Sequence, residues 1–291
     1  MHEVPTDPAH TALLFPGQGS QTAEMREQVE WACPHLLEQA IDELGVDPFE
    51  HVDDGTAFAQ PALYCASLAG WTAADRPPAA FMAGHSLGEL AALVAAGSLD
   101  ESDGLSLAVT RGRVMKHAAE RGPQGGMLAA LGDGEQALAV ADRLGLTVAN
   151  DNAPGQLVLS GPRGALKSAR VELKAAGVRT IPLRVQGAFH SPAMATAVPE
   201  FRAALDGVKL DEPRVPVVSS TTARPFDDIR ARLADALVRP VRWREALIAL
   251  HEAGARRFVE TGPGTVLTGL VRRTLDEVDA RAVDVPEAAG A

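Results

Sequence analysis

The chain has 291 residues, 46% of them hydrophobic and 22% charged, which is ordinary for a globular protein with a sizeable core. Its formal net charge of -11 argues against nucleic acid as the main ligand. The histidines show no HxxH or HExxH spacing and no CxxC pair accompanies them, which argues against a metal site.

The first part of the chain predicts strands that alternate with helices. Residues 11–15 and 79–83 are short apolar runs that indicate buried strands, with several helical stretches between them. Helices are predicted over residues 87–96 and around residues 105–119. The glycine-rich stretch 122–126 then indicates a boundary.

The middle of the chain predicts a small unit with the order βαββαβ, the pattern of a ferredoxin-like fold. Strands are predicted at residues 127–131, 146–149, 157–159 and 178–185, helices at 135–144 and 163–176, and a turn at 150–155. We expect a ferredoxin-like small subdomain of residues 125–187. It would be inserted into an α/β-hydrolase-like large subdomain with a parallel sheet core, formed by residues 1–124 and 188–291.

The last part of the chain returns to the pattern of the first. It predicts a strand at residues 215–218, helices near 229–237 and 244–253, a strand at 257–260, and a final helix after the turn at 262–264. The tail from Asp284 is rich in alanine, proline and glycine, and we expect it to be frayed.

The most informative motif is Gly84-His85-Ser86-Leu87-Gly88, between a predicted strand and a predicted helix. A strand, a serine flanked by glycines and a helix form a nucleophile elbow, which lifts the serine hydroxyl above the sheet. The helix N-terminus supplies free N–H groups that suit an oxyanion. Ser86 is therefore the predicted nucleophile, and His85 is expected to pack or hydrogen-bond beneath the elbow.

A serine nucleophile needs a base. His190 lies on an irregular segment between Gly187 and Pro192, where a side chain is better placed for chemistry than on a helix face. His117 and His251 fall on predicted helix surfaces. Spacing alone therefore makes His190 the candidate base.

Six short motifs follow one another along the chain. They are residues 15–21 (FPGQGSQ), 84–89 (GHSLGE), 111–112 (RG), 152–156 (NAPGQ), 187–190 (GAFH), and 262–264 (GPG) followed by Val266-Leu267. In this order and spacing they resemble the malonyl-CoA:acyl carrier protein transacylases and the acyltransferase domains of polyketide synthases. The resemblance covers about residues 13–272. GxSxG alone is weakly specific, whereas six ordered motifs are strongly specific.

The resemblance implies a free-standing acyltransferase and assigns roles to its residues. Ser86 would attack a thioester and carry the acyl group as an ester, and His190 would take its proton and later activate a phosphopantetheine thiol. The backbone N–H groups of Gln18 and Leu87 would form the oxyanion hole. Arg111 would bind the free carboxylate of a dicarboxylic acyl group.

The resemblance also implies the substrate. Asn152 and Gln156 would line the cleft between the subdomains. A phenylalanine before the histidine, here Phe189, accompanies malonyl selection in polyketide acyltransferases, because it fills the space that an α-methyl group needs. The implied reaction is malonyl transfer from malonyl-CoA to an acyl carrier protein, in fatty-acid or polyketide biosynthesis, with no cofactor beyond the coenzyme A thioester.

Two positions depart from the family's pattern. Where Arg242 stands, the stand-alone fatty-acid enzymes usually carry a glutamine that helps orient the histidine. The partner that orients His190 is therefore open, and a backbone carbonyl is one candidate. An arginine at this position is more similar to the polyketide acyltransferases, so the resemblance favours a polyketide pathway and makes Arg242 a candidate substrate-binding residue. Ser219-Ser220 likewise stands where relatives often show asparagine.

An acyl carrier protein is generally acidic, so its docking needs a local basic patch. Two predicted helices carry such sets: Lys167, Arg170 and Lys174 on one, and Arg111, Arg113 and Lys116 on the other. The absence of a signal segment, of a membrane-spanning run and of a cysteine framework predicts a cytoplasmic protein that binds no membrane. A monomer is the default expectation.

Several alternatives remain open. The acyl unit could be methylmalonyl or similar, or the enzyme could be an editing acyl-thioester hydrolase of the same family. An ordinary serine esterase would need an acid between Ser86 and His190. Carboxylates do lie there, but Glu135, Asp142 and Glu172 fall on the predicted helices of the inserted unit and Asp151 falls in its turn. A non-catalytic docking protein would not need Ser86, His190 and Arg111 intact.

Overall fold

The computed structural model describes residues 7–283, so the tail from Asp284, expected to be frayed, lies outside the described residues. The strands are β1 Thr11–Phe15, β2 Phe81–Gly84, β3 Gly125–Leu131, β4 Thr147–Ala153, β5 Gln156–Pro162, β6 Arg179–Pro182, β7 Val217–Val218, β8 Arg257–Glu260 and β9 Asp279–Ala282. The α-helices are α1 Met25–Ala32, α2 Pro34–Leu44, α3 Thr56–Ala73, α4 Gly88–Ala95, α5 Glu101–Arg121, α6 Gly134–Arg143, α7 Arg163–Ala175, α8 Val198–Asp206, α9 Ile229–Asp235, α10 Trp243–Glu252 and α11 Val266–Thr274. Among the described residues, no helix is both long and apolar enough to cross a membrane.

A five-stranded sheet has the order β7-β2-β1-β8-β9, with every pair parallel. In its centre, Leu13 of β1 lies opposite Met82 of β2 and Val259 of β8. All five residues of β1 are buried, as expected for a parallel strand covered on both faces. The predicted α/β fold with a parallel sheet core is confirmed.

The edges of this sheet depart from the expectations. The strand β9 was not predicted, because its sequence Asp-Ala-Arg-Ala lacks the apolar run of a buried strand and only Ala280 is buried. At the other edge, the strand predicted at 215–218 is reduced to β7. Pro216 has no N–H to extend the ladder, although its carbonyl accepts a hydrogen bond from the Met82 N–H at 3.0 Å.

A second, antiparallel sheet has the order β4-β5-β3-β6. With α6 after β3 and α7 after β5, the predicted βαββαβ order is confirmed. The turn predicted at 150–155 was too long: residues 150–153 continue β4 through irregular register, and only Pro154-Gly155 turns. This part of β4 was not predicted, because Asn150, Asp151 and Asn152 are residue types that favour turns and the sequence does not show their pairing with β5.

One of the apolar clusters joins the two sheets. Met127 and Ala129 of β3 belong to the same buried cluster as Leu13 and Phe15 of β1. Backbone bonds also join β4 to the segment before α10: the Asp151 N–H donates to the Val241 carbonyl, and the Val241 N–H to the Ala149 carbonyl, each at 2.8 Å. The small sheet is thus fixed against the large one. The subdomain boundaries at 124/125 and 187/188 remain a prediction.

Candidate active site

The elbow motif forms a tight turn between β2 and α4. A Cβ atom on Gly84 would lie 2.0 Å from the carbonyl carbon of Gly88, and one on Gly88 would lie 2.1 Å from the carbonyl oxygen of Phe15. Only glycine lets α4 pack this closely on the ends of β1 and β2. Ser86, at the apex, has a φ of 55°, a left-handed conformation that costs energy in any residue with a side chain.

His190 faces Ser86 and is itself held by the backbone. Its Nε2 lies 2.9 Å from Ser86 Oγ, and its Nδ1 lies 2.8 Å from the carbonyl oxygen of Ala236, where α9 ends. Burial, and then the positive charge of Arg111, lowers the pKa of His190 to about 3, so the ring is neutral near neutral pH. Because a carbonyl can only accept, Nδ1 carries the proton and Nε2 is free to accept from Ser86. The backbone carbonyl that the sequence left as one candidate is thus the partner that orients the histidine.

Arg111 projects from α5 to the same hydroxyl. Its Nη2 donates to Ser86 Oγ at 3.0 Å and its Nη1 to Gln60 Oε1 at 2.7 Å, and the residue is only 4% exposed. Burial lowers its pKa to about 10, partly offset by the negative charge of Glu89, so it stays a cation. Within residues 7–283 no carboxylate lies within ion-pair distance of this guanidinium. Its remaining N–H groups are therefore available to a bound carboxylate.

The sequence analysis missed Gln60 and Thr56. Gln60 Nε2 donates to Thr56 Oγ1 at 2.7 Å, and Thr56 Oγ1 donates to Gln18 Oε1 at 3.1 Å. Together with the bond from Arg111, this makes a chain of polar side chains from Gln18 to Ser86. One feature of the sequence could have indicated Gln60: it is an amide inside the apolar helix α3, and a buried polar side chain needs a hydrogen-bond partner.

The predicted oxyanion donors both lie beside the elbow. Gln18 follows β1 in the loop that begins at Pro16, and a Cβ atom on Gly17 would lie only 2.4 Å from the carbonyl oxygen of His85. Among the hydrogen bonds of residues 7–283, none is donated by the backbone N–H of Gln18 or Leu87. Both groups are therefore free, and their role in stabilising an oxyanion stays a prediction.

His85 hydrogen-bonds beneath the elbow, as expected, and its partner is Asn152. The distance from His85 Nε2 to Asn152 Oδ1 is 2.8 Å, and the His85 ring meets the Trp243 ring edge-on with centroids 5.3 Å apart. Burial lowers the pKa of His85, so a neutral ring donates from Nε2. Asn152 is thereby tied to the elbow from the small sheet.

The other predicted substrate-binding residues lie in different places. Phe189 is buried and packs over Gly187, where a Cβ atom would come within 2.6 Å of its ring. Gln156 accepts a hydrogen bond from Arg273 on α11. Arg242 binds Glu245, with Nε to Oε1 at 2.9 Å, and the carbonyl of Thr222. The roles of all three in substrate binding stay predictions.

Glu89 connects the elbow helix to the loop after β7. Its Oε1 accepts from the Ser220 N–H at 2.6 Å, and burial raises its pKa to about 7. The Ser219-Ser220 pair noted in the sequence therefore lies against α4, with the backbone of Ser220 making the contact.

No carboxylate of the inserted unit completes a triad in the described structure. Asp151 is held by Arg244 through three hydrogen bonds, and Glu172 pairs with Arg143. His190 Nδ1 is already occupied by a backbone carbonyl, which leaves no place for the acid of an ordinary esterase triad. In residues 7–283, no three side chains of the His, Cys, Asp or Glu type cluster as they would around a metal ion.

Comparison with known proteins finds the same family along almost the whole chain. A family model described as acyl transferase domain matches residues 24–290. The polyketide biosynthesis protein ThaF of Burkholderia thailandensis is 38% identical over 283 residues; the match covers 91% of this chain but only 24% of that longer protein. The malonyl CoA-acyl carrier protein transacylase of Escherichia coli K12 is 35% identical, covering 96% of this chain and 97% of its own length.

A solved structure agrees with this result. The crystal structure of a malonyl-CoA:acyl carrier protein transacylase from Xanthomonas oryzae pv. oryzae superimposes with a TM-score of 0.88 and 36% identity. The match covers 97% of this chain and 96% of that one. The similarity therefore includes both sheets and the elbow between them.

Proposed function

The chain belongs to the acyl transferase domain family, and we propose that it transfers a malonyl group from malonyl-CoA to an acyl carrier protein through an ester on Ser86. One observation carries this proposal. Ser86 Oγ lies 2.9 Å from the Nε2 of a neutral histidine and 3.0 Å from an arginine that has no carboxylate partner among the described residues. A nucleophile between a base and a guanidinium with N–H groups left to donate fits an acyl group that ends in a carboxylate.

In the first half-reaction the Ser86 O–H gives its proton to His190 Nε2, and Oγ attacks the thioester carbonyl. The N–H groups of Gln18 and Leu87 donate to the oxyanion, a contribution of about 2.7–4 kcal/mol per donor in comparable enzymes. The carbon–sulfur bond then breaks, and coenzyme A leaves as a thiol with the proton from His190. Arg111 moves its Nη2 donor from Ser86 to the malonyl carboxylate.

The second half-reaction reverses these steps. The phosphopantetheine thiol of the carrier protein gives its proton to His190 Nε2 and attacks the ester carbonyl. Ser86 leaves and recovers the proton, so the histidine ends as it began. The proposed chemistry uses the protein's own side chains and backbone N–H groups, the coenzyme A thioester and the thiol of the carrier protein.

The cysteines and the charged surface of the enzyme support proposals for its compartment and for its docking of the carrier protein. Both Cys33 and Cys65 are buried free thiols, which suits a reducing compartment such as the cytoplasm, and the monomer stays a default expectation. For the carrier protein, Lys167, Arg170 and Lys174 are exposed on α7, opposite the buried residues of that helix. Docking on this face stays a prediction.

The test is the fate of the malonyl group. We expect malonyl-CoA to add one malonyl group to Ser86, located by mass spectrometry of the intact protein and its peptides, and holo carrier protein to remove it by transfer. An editing hydrolase would release free malonate at the same rate with and without the carrier protein. That result would replace transfer by hydrolysis as the function of the site.

The lowered pKa of His190 predicts that the rate of Ser86 malonylation stays nearly constant as the pH falls below neutrality. Because the folded-state pKa is about 3, Nε2 keeps its ability to accept a proton well below the ordinary value near 6.5. We expect the single-turnover rate of Ser86 malonylation to change less than about twofold between about pH 5 and pH 7.5, measured by rapid quench with folding checked by circular dichroism. An acid limb with a midpoint near 6.5 would contradict the neutral, buried histidine.

Phe189 predicts a preference for malonyl over methylmalonyl groups. One methyl group in a pocket is worth about 1–3 kcal/mol, or roughly 10- to 200-fold in kcat/KM. Phe189→Ala should lower the malonyl to methylmalonyl ratio by about tenfold when both thioesters compete for the enzyme. Equal ratios in the variant and the wild type would remove Phe189 from specificity.

A further inference from the structure

A small recess adjoins the active site on the side of α5. Three residues of the site region line it: Gln18, Thr56 and Phe189. Two basic residues stand on the same lining, Lys116 of α5 and Arg184 of the segment after β6. The recess has a volume of about 20 Å³, room for about one water molecule, so a larger group would lie across its rim.

These two cations lack close carboxylate partners. Lys116 Nζ comes no nearer than 3.9 Å to Glu120 Oε1, and Arg184 makes no ion pair or side-chain hydrogen bond within residues 7–283. Arg113 of the same helix, in contrast, binds Glu200 at 3.0 Å. Arg184 therefore has no partner among the described residues, and Lys116 has only a loose, partly exposed one.

One carboxylate also lines the recess. Asp54 is hydrogen-bonded to His51 Nδ1 at 2.7 Å and is largely exposed, so solvent screens its charge. The exposed ends of Lys116 and Arg184 are the groups that an anion at the rim would meet.

The position along α5 suggests which anion. Lys116 lies five residues beyond Arg111, about 7.5 Å along the helix axis. A malonyl group held by Arg111 and Ser86 would lead its pantetheine arm away from the nucleophile, past Phe189 and toward this rim. In coenzyme A and in the holo carrier protein alike, that arm ends in a phosphate ester.

We propose that Lys116 and Arg184 bind the phosphate that ends the pantetheine arm, and that both half-reactions use this one pair of cations. The proposal rests on the proposed malonyl transfer and adds the residues that recognise the non-reacting end of its substrates. It follows that free coenzyme A competes with the carrier protein for the malonylated enzyme.

The test compares two donors that differ in phosphate. Malonyl-4′-phosphopantetheine carries the arm with its terminal phosphate, and malonyl-pantetheine carries the same arm without it. In the K116Q/R184Q double variant we expect the ratio of kcat/KM for malonyl-4′-phosphopantetheine to that for malonyl-pantetheine to fall about ten- to hundredfold, with a weaker dependence on salt. The matched control is Arg113→Gln, which removes a paired cation from the same helix and should leave that ratio as in the wild type.

A second experiment tests whether the two cations also act when the carrier protein is the acceptor. Malonylated enzyme is mixed with holo carrier protein or with free pantetheine, and the double variant should lose rate selectively with the carrier protein. The proposal is overturned if both donors lose activity equally, if malonyl-4′-phosphopantetheine is unaffected, or if only the carrier protein reaction loses rate. If wild-type Ser86 accepts malonyl neither from these donors nor from malonyl-CoA, the proposed function itself fails, which is a separate result.

Discussion

Replacing Ser86 with alanine should abolish malonyl transfer. Its hydroxyl lies 2.9 Å from His190 Nε2 and 3.0 Å from Arg111 Nη2, and among the described residues no other hydroxyl is hydrogen-bonded to both, so Ser86 is the group that carries the acyl between the two half-reactions. Loss of a nucleophile of this kind typically costs about 10⁴- to 10⁶-fold in rate. The measurement is transfer of labelled malonyl from coenzyme A to holo carrier protein, together with the mass of the enzyme after exposure to the donor.

The matched control is Ser160→Ala. Ser160 is a buried serine of β5 whose hydroxyl has no hydrogen-bond partner in the described structure, so its removal tests the loss of a buried hydroxyl away from the elbow. We expect this variant to transfer malonyl as the wild type does. Full transfer by Ser86→Ala would refute the mechanism, because the ester on Ser86 is its only covalent intermediate.

Replacing Arg111 with alanine should remove the preference for a charged acyl group. Its guanidinium is buried, and truncating one partner of a buried hydrogen-bonded charge pair costs about 2–5 kcal/mol. We expect kcat/KM for malonyl-CoA to fall about 30- to 3000-fold, since about 1.4 kcal/mol corresponds to a factor of ten. Acetyl-CoA, which has no carboxylate, should lose much less, so the ratio between the two donors is the measured quantity.

Arg111→Lys separates charge from shape. Lysine keeps the positive charge but not the planar fork that also reaches Gln60, so we expect an intermediate ratio. Arg113→Gln again serves as the control, because Arg113 pairs with Glu200 on the surface of the same helix. If the malonyl and acetyl donors lost activity by the same factor, Arg111 would be a support for Ser86 and not a carboxylate site.

The sequence predicted the parts of the fold that have strong local signals. The apolar run of β1, the strand-turn-helix around Ser86 and the βαββαβ order each depend on residues close in the chain. The strand β9 and the extension of β4 through Asn150 and Asp151 were not found. Their backbone groups are satisfied by distant segments, Arg257–Glu260 and Val241, and a local pattern carries no information about such partners.

The site follows the same division. Ser86, His190 and Arg111 were named from motifs, and the structure brings their side chains together although they lie up to 104 residues apart. Gln60 and Thr56 were missed, because only the fold reveals that an amide in α3 meets an arginine in α5. The pairing of Arg242 with Glu245 and of Gln156 with Arg273 was likewise not predicted, because no motif records it.

The carbonyl of Ala236 that holds His190 belongs to the main chain, and every amino acid supplies the same atom. An alanine scan would therefore recover Ser86 and His190 and pass over the third group, and position 236 is free to vary in related sequences without loss of that contact. Related sequences must instead keep the end of α9 in the same position. The orientation of His190 therefore depends on the position at which α9 ends. Substitutions far from the cleft that shift α9 would change the orientation of His190 although they do not contact it.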